Sequence, residues 1–334
     1  MGFREGTYDH TRQKLEVRGG RLISRVNGRS YGIGELELLS LAKLCAQVAD
    51  IPPDGRIRVS NVSGDVRAFH RDPENRGSLF QVASQFNLLE MTSYKVTPED
   101  GVTRYAGDPT QGPACAIGAG AGTIYRNYFA PVGGTFGQTT KRQIDASAKL
   151  RAALAAVAGV EPEELWVTRN GYALPTAQGL RAVSEVLQRV SGDERERLKE
   201  RLEIGLHWGV EVTDGAPPDQ VVSQAFCSAM PVRYSGLNRS AWEPLARLVL
   251  EAAYEATLAA AVLNAARAGM RTVFLTRLGG GAFGNDDRWI DDAMRLAFQR
   301  YVDHSLDVRL VTYGAVTPAM KALAAEFVTT AKDV

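Results

Sequence analysis

The sequence predicts an α/β protein of three layers, with a mixed but substantially parallel sheet held between helices. Three observations lead there. From Val210 onward the chain reads strand, long helix, strand, glycine loop, helix, strand, helix, the alternation that builds parallel sheets with covering helices. An earlier run, "RIRVSNVSGDV", alternates like a further strand. The chain is also 45% hydrophobic over 334 residues, enough to bury a real core.

The elements follow in order. Residues 1–55 are expected to form an N-terminal extension of hairpin plus helix packed on the core. Two β-like runs flank Asn27-Gly28, a strong hairpin signal, and a helical pattern then ends before Pro52-Pro53. Residues 56–334 are expected to form the main domain. It opens with "RIRVSNVSGDV", "SLFQVASQFNLLEM" reads as strand into helix, and a Gly-rich loop spans Pro98 to Gly122. Polar–aromatic alternation in "TIYRNYF" sits at strand spacing and is most simply core packing. A mostly helical insert is expected at about 141–206, built from "SAKLRAALAAVAGV" and the charge-laced "SGDERERLKERLEIGL", with "LWVTRNGYALPT" between them. The strands "VVSQAFCSAMPV", "TVFLT" and "DVRLVTYG" then alternate with helices "SAWEPLARLVLEAAYEATLAAAVLNAARAG" and "DRWIDDAMRLAFQRYV".

Composition removes several function classes. Lys plus Arg number 39 against 38 Asp plus Glu, so the basic excess of a nucleic-acid binder is missing and that partner is not expected. Cys45, Cys115 and Cys227 stand far apart, which argues for a reducing cytoplasm over a disulfide framework or CxxC metal site. The four histidines are scattered without HExxH or HxH spacing, so no zinc site and no metal is expected. "MGFREGTYDH" lacks the apolar stretch of a secretory signal, and Gly6 occupies the place where myristoylation needs Ser or Thr. Glu251 and Glu255 interrupt the longest apolar stretch, so no membrane partner is expected. No P-loop motif occurs, and Gly28-Arg29-Ser30-Tyr31-Gly32, though a formal GxSxG, is better explained as a hairpin turn followed by a second strand.

"FLTRLGGGAFGNDDRWI" carries the strongest chemical signal. Gly279-Gly280-Gly281-Ala282-Phe283-Gly284 satisfies GxGxxG between a strand and a helix, where side-chain-free N–H groups and a helix N-terminus favour a diphosphate. A Rossmann coenzyme site is one reading. Against it, only about fifty residues follow, and a two-half dinucleotide fold needs more strands. A tight turn with Asp286 or Asp287 capping the next helix is another. Three consecutive glycines exceed what a turn requires, which favours phosphate binding.

The order of these segments resembles the macrodomain family, the ADP-ribose-binding α/β/α module, in an enlarged and divergent version. The resemblance covers roughly Arg56 to Gly122 and Val210 to the C-terminus, about 190 of the 334 residues. It implies that Asp65, in Gly64-Asp65 after an early strand, meets the adenine amine. It also implies that Asn87, closing "VASQFN", faces the distal ribose. The Gly279–Asn285 loop would wrap the diphosphate, with Phe283 near that ribose. Where the family has a Gly-Gly-Gly stretch after the Asn, this chain has "LLEMTSYKVTPEDGVTRYAGDPTQGPACAI", so catalytic roles do not transfer there.

That loop is read on its own terms. Pro109 and Pro113 should fix a defined turn over Asp108–Pro113. Cleavage at an anomeric carbon passes through an oxocarbenium-like state that a carboxylate stabilises or supplies with activated water. Asp108 is the expected catalytic acid, with Gln111 and Asn87 holding water or a ribose hydroxyl and Ser84, Thr110 and Gly112 contacting ligand. Gly118–Gly122 is a weaker phosphate candidate for which a flexible turn is the simpler reading, and Asn170-Gly171-Tyr172 is either a ring that caps the site or a surface turn. The expected function is binding of ADP-ribose or an ADP-ribosylated small molecule or protein, with hydrolysis of the glycosidic bond and no cofactor. A non-catalytic reader or scavenger is the alternative, and a Rossmann-type oxidoreductase a lesser one.

Overall fold

A computed structural model describes residues 1–327 of the chain. Seven strands form one mixed sheet, in the order Glu35–Ser40, Glu203–Glu211, Val221–Cys227, Leu79–Ala83, Thr272–Leu275, Asp307–Thr312, Arg58–Ser63. The last five run parallel, and the first two pair antiparallel at one edge. Strands sandwiched by helices lose the polar alternation of one-faced sheets, and Leu79, Phe80, Gln81 and Val82 are all buried, as is every residue of Thr272–Leu275.

Successive residues of the central strand point to opposite layers. The Phe80 ring stacks on His70 of the Val66–Arg71 helix, with centroids 3.9 Å apart. The neighbouring Gln81 amide donates to Thr257 Oγ1 of the Arg239–Ala268 helix at 3.0 Å. On the Phe80 face the Val66–Arg71, Gln111–Gly118 and Gly120–Tyr128 helices pack together. The 30-residue Arg239–Ala268 helix anchors the other face, against Leu41–Val48, Ala177–Arg189 and Asp287–Arg300. It runs from the Asn238 cap to Gly269, whose φ of 69° ends it. By length and apolarity it is the one described helix able to cross a membrane, but 89% of its apolar window is buried in this core.

Several elements depart from expectation. Glu35–Ser40, expected in an extension packed on the core, is the edge strand of the main sheet, so the body begins well before residue 56. "RLEIGL", read as helix, begins the Glu203–Glu211 strand, because the preceding helix stops at Lys199. No helix follows Leu79–Ala83; the chain turns through Leu88 at φ 61°. The expected Gly-rich loop contains two helices, Gln111–Gly118 and Gly120–Tyr128, and "TIYRNYF" is largely helical. The glycines there serve close packing: a Cβ on Gly118 would press on the His70 ring, and one on Gly122 on Val210 and His207. Gly118–Gly122 is therefore a helix junction inside the protein.

The feature that positions everything else is a parting of two strands. Leu79–Ala83 pairs with Thr272–Leu275 only at Leu79↔Val273 and Phe80↔Phe274. Beyond that point the Gln111 side chain acts as the partner: its Nε2 donates to the Gln81 carbonyl at 2.8 Å and its Oε1 accepts from the Ala83 N–H at 2.9 Å. Gly112 lies flat against the Ala83 carbonyl oxygen, leaving no room for a Cβ. Gly112→Ala is therefore expected to cost at least the 1–3 kcal/mol typical of overpacking, read as a lowered urea midpoint with unchanged slope. A midpoint equal to wild type would refute this reading of the contact.

Candidate functional site

Where the two strands part, a cleft of about 380 Å³ opens beyond the C-terminal ends of the parallel strands. Open α/β sheets bind ligands there, because strand ends and helix starts converge while the connecting loops leave a crevice. One wall is Ala83–Gln85 with Glu90–Thr92, the second is Asp108–Pro113, and the third is Thr276–Gly279 with Gly281–Phe283. Tyr172 and Tyr234 close one end, and Tyr313, 84% exposed, lines another part.

The glycine loop is a rigid cradle with its tip open. Gly279, at φ 73°, receives the Asn285 N–H at 3.0 Å, and Asn285 Nδ2 donates to the Met230 carbonyl at 2.9 Å. Arg233 N–H donates to the Phe283 carbonyl, and Leu278 N–H to the Tyr254 hydroxyl. These bonds close the loop's neck and leave the N–H groups of Gly281, Ala282 and Phe283 without acceptors among the described residues. At Gly281 a Cβ would meet nothing within 4 Å. The Asp287–Arg300 helix follows at once, capped by Asp286, whose Oδ1 accepts from Arg288 N. Nearby negative charge is neutralised, Asp287 and Asp291 by Arg277 and Asp286 by Arg239 and Arg288. Exposed Arg233 reaches over the loop, with Nη1 3.4 Å from the Gly281 carbonyl. Such a loop is suited to an anion.

Phe283 joins an aromatic group. Its centroid lies 5.3 Å from Tyr172 and 5.5 Å from Tyr234, and those two rings are 5.2 Å apart. Tyr172 arrives on the Trp166–Arg169/Tyr172–Pro175 hairpin of the insert, turned at Asn170 (φ 48°) and Gly171 (φ 78°). The Phe86 N–H donates to the Gly171 carbonyl and fixes the hairpin tip to the cleft.

The structure brings nine of the expected site residues to this cleft: Ser84, Asp108, Thr110, Gln111, Gly112, Gly279, Gly281, Ala282 and Phe283. Asp108 stands at the entrance, its Oδ1 accepting from the Thr110 N–H at 2.9 Å and hydroxyl at 2.6 Å, which begins the Gln111–Gly118 helix. The expectation that Gln111 and Asn87 hold water or ribose fails on geometry. The Gln111 amide is engaged by the Gln81 and Ala83 backbone. Asn87 is wholly buried outside the cleft, donating to Gln143 at 2.9 Å and accepting from Leu89 N at 3.2 Å. Asn285 is a buried staple of the loop neck, and Gly280 and Gly284 shape the loop behind its tip. Asp65 caps the Val66–Arg71 helix through Oδ1 and lies outside the cleft lining. It remains close to one part of it, since the Gly64 N–H donates to the carbonyl of Thr312, beside Tyr313.

Sequence reasoning misses Tyr234, Arg233 and Tyr313, and sees in Glu90 only one of several carboxylates near the loop in sequence, with Glu99 and Asp100. Glu90 lines the cleft from within, 2% exposed, with Oε1 3.4 Å from Arg126 Nη2 and Oε2 without a partner among the described residues. Burial pushes its carboxyl up to about 7 against the pull of Arg126. Arg126 is itself fully buried, donating to the Leu88 carbonyl at 2.9 Å and lying 3.8 Å over the Phe226 ring. Burial also holds His70 down at about 4 and His207 at about 3, the latter helped by the adjacent Arg126 charge. Among the described residues no group of three or more His, Cys, Asp and Glu side chains is placed to hold a metal ion.

No protein-family model matches the chain, and no curated protein matches it. Among solved structures, poly(ADP-ribose) glycohydrolase from Thermomonospora curvata aligns at 18% identity and TM-score 0.42, over 92% of this chain and 93% of that one. Its complex with the inhibitor ADP-HPD aligns at 16% and 0.41, with the same coverage. The Deinococcus radiodurans poly(ADP-ribose) glycohydrolase in complex with ADP-ribose aligns at 12% and 0.48, over 87% and 93%. At TM-scores below 0.5 these likenesses bear on neither the activity nor the residues of this chain.

The buried titratable groups set a pH dependence of opposing signs. His70 and His207 have folded values below the ordinary 6.5, so the unfolded chain takes up their protons first and stability falls as pH drops below about 6.5. Glu90 has a folded value near 7, above its ordinary 4.5, so its contribution is full below about 4.5 and is lost as pH rises through 7. Glu90→Gln removes the compensating term. Urea titrations at pH 5, 6 and 7 are expected to show a steeper acid loss in the variant than in wild type; parallel curves would contradict the assignment.

Proposed function

We propose that the cleft binds ADP-ribose or an ADP-ribosyl conjugate, and that Asp108 directs water at the glycosidic bond. The observation that carries the reading is the open tip of the Gly279–Asn285 loop. It offers three consecutive free N–H groups beside a helix start, in a crevice at the strand ends, with an aromatic group at one side. A diphosphate lies over Gly281–Phe283, with Arg233 as its counter-charge. Adenine extends toward Tyr313, a sixth of whose surface is covered by protein, with Asp65 beside it to accept from the amine. The distal ribose rests near Phe283, Tyr172 and Tyr234, facing the wall that carries Asp108. An exposed carboxylate there stabilises the positive charge that develops as the bond breaks, or takes a proton from the attacking water.

A second reading, a reader that holds ADP-ribosyl ligands without cutting them, is favoured by one observation. Gln111 and Asn87 have their amides engaged by the protein, so Asp108 lacks the polar helpers expected of it.

Calorimetric titration with ADP-ribose, NAD and AMP, on wild type and Gly281→Glu, tests the binding claim. Gly281 has open space at its Cβ, so the substitution blocks the cradle and leaves the fold intact. Micromolar ADP-ribose binding, weakened at least tenfold in the variant, is expected; equal affinities would refute the cradle. Turnover of an ADP-ribosylated peptide by Asp108→Ala, expected to fall about 10²–10⁴-fold as for loss of a general acid or base, separates cutting from holding. Wild-type turnover indistinguishable from buffer would establish the reader.

A further inference from the structure

The aromatic end of the cleft is a corner with two ring faces to offer. Tyr172 is 2% exposed and backs the other two rings. Phe283 and Tyr234, both half-buried, stand at 75° to each other with centroids 5.5 Å apart. Rings so disposed present a flat face and an edge, the two contacts a planar aromatic guest makes best. The charge beside them is negative. Asp108 makes no salt bridge among the described residues; its Oδ1 accepts from the Thr110 N–H and hydroxyl. The Tyr172 hydroxyl is pushed up by burial, then by Tyr234, and further by the Asp108 charge, which puts that carboxylate on the aromatic side of the cleft. Arg277, the cation in the lining, is neutralised by Asp287 and Asp291. Such a corner attracts a flat cation over a flat neutral ring.

The supply of protons points the same way. An alcohol or amide leaving an anomeric carbon needs a proton, from a donor about 3 Å from the leaving atom. The cleft lining holds no His, Lys or Cys. Tyr172 gives its hydroxyl proton to the Met91 carbonyl at 2.7 Å, and Ser84 donates to the Gln85 carbonyl at 3.1 Å. Glu90 is 2% exposed, with Oε1 on Arg126 and Oε2 beneath the surface. Asp108, when charged to take a proton from water, has none to give. A leaving group that departs without a proton suits this lining.

We propose that the leaving portion of the substrate is a cationic, planar heteroaromatic base, so that the bond cut is a pyridinium N-glycoside of the kind NAD carries. This rests on the ADP-ribosyl reading of the cleft. The ring lies in the corner of Tyr234 and Phe283, with its positive charge facing Asp108. The bond from the anomeric carbon to the ring nitrogen breaks with its electron pair going to the nitrogen, so the base leaves neutral. The water oxygen bonds to the anomeric carbon, and the water's proton passes to the Asp108 carboxylate and on to solvent. ADP-ribose and the free base are the products, and no further reactant is consumed.

The test measures nicotinamide release from NAD beside ADP-ribose release from a serine-linked ADP-ribosylated peptide, for wild type, Tyr234→Leu and Tyr234→Phe. ADP-ribose affinity is titrated for each, which also reports an intact cleft. Expected is a kcat/KM for NAD at least tenfold above that for the peptide. NADH, whose neutral ring would have to leave as an anion, is expected to stay uncut. Tyr234→Leu should lose NAD turnover by a factor at least tenfold larger than any loss of ADP-ribose affinity. Tyr234→Phe, which keeps the ring and removes the hydroxyl, should stay within threefold of wild type. Peptide cleaved as fast as NAD, or NADH cleaved at all, would overturn the proposal. So would an equal loss in Tyr234→Phe, which would make the hydroxyl the proton donor. Wild type that binds ADP-ribose and releases no nicotinamide would overturn it and leave the binding claim standing. Wild type that binds neither ADP-ribose nor NAD would instead sink the ADP-ribosyl reading of the cleft.

Discussion

The site depends on the separation of two parallel strands after Phe80 and Phe274. A buried strand whose partner leaves is left with unpaired backbone groups, each costing about 1–3 kcal/mol if unsatisfied. Here one side chain resolves the problem, since the two ends of the Gln111 amide satisfy the Gln81 carbonyl and the Ala83 N–H. The strands are then free to diverge, and the space between their ends becomes the cleft. Gly112 lets the helix that carries Gln111 lie flat on the strand, and Asp108 and Thr110 set where that helix begins. The wall bearing the candidate acid and the opening it faces thus have a common structural origin.

The opposite wall is built on another economy of contacts. The glycine loop is anchored at its neck by Asn285, Arg233 and the Tyr254 hydroxyl, so its tip need not be ordered at the moment of binding. Preorganised N–H groups keep their value for an anion because they exchange only water for ligand. Beneath the cleft, Glu90 and Arg126 form a buried pair in which one carboxyl oxygen lacks a partner among the described residues. Removing a single member of such a pair usually costs 3–5 kcal/mol, so it fixes the floor on which both walls stand.

Much of this was legible in the sequence, for identifiable reasons. The strands from Val221 onward and their helices carry segments rich in apolar residues, Asn or Asp caps and a closing glycine, signals that act locally. Glu35–Ser40 escaped because edge position tolerates charge; Glu203–Glu211, paired on both sides, escaped because the residues before Glu203 continue a helical charge pattern without a Gly or Pro break. The helices at Gln111–Gly118 and Gly120–Tyr128 were hidden by glycines that look like flexibility and function as close contacts with Ala83, His70 and His207. For the site, the glycine cradle, Asp108 and Tyr172 could be found from turn chemistry alone. Gln111 and Asn87 have the right chemistry for catalysis, but only the tertiary structure shows their atoms engaged elsewhere. Tyr234, Arg233 and Tyr313 carry no motif, and the topology alone gathers them.

The most direct test of the central claim is a crystal structure determined with ADP-ribose. The account predicts the diphosphate within hydrogen-bond reach of the Gly281, Ala282 and Phe283 N–H groups, adenine at Tyr313 and Asp65, and the distal ribose facing Asp108. A ligand seated elsewhere, or a cleft filled with the loop's N–H groups still unengaged, would contradict it.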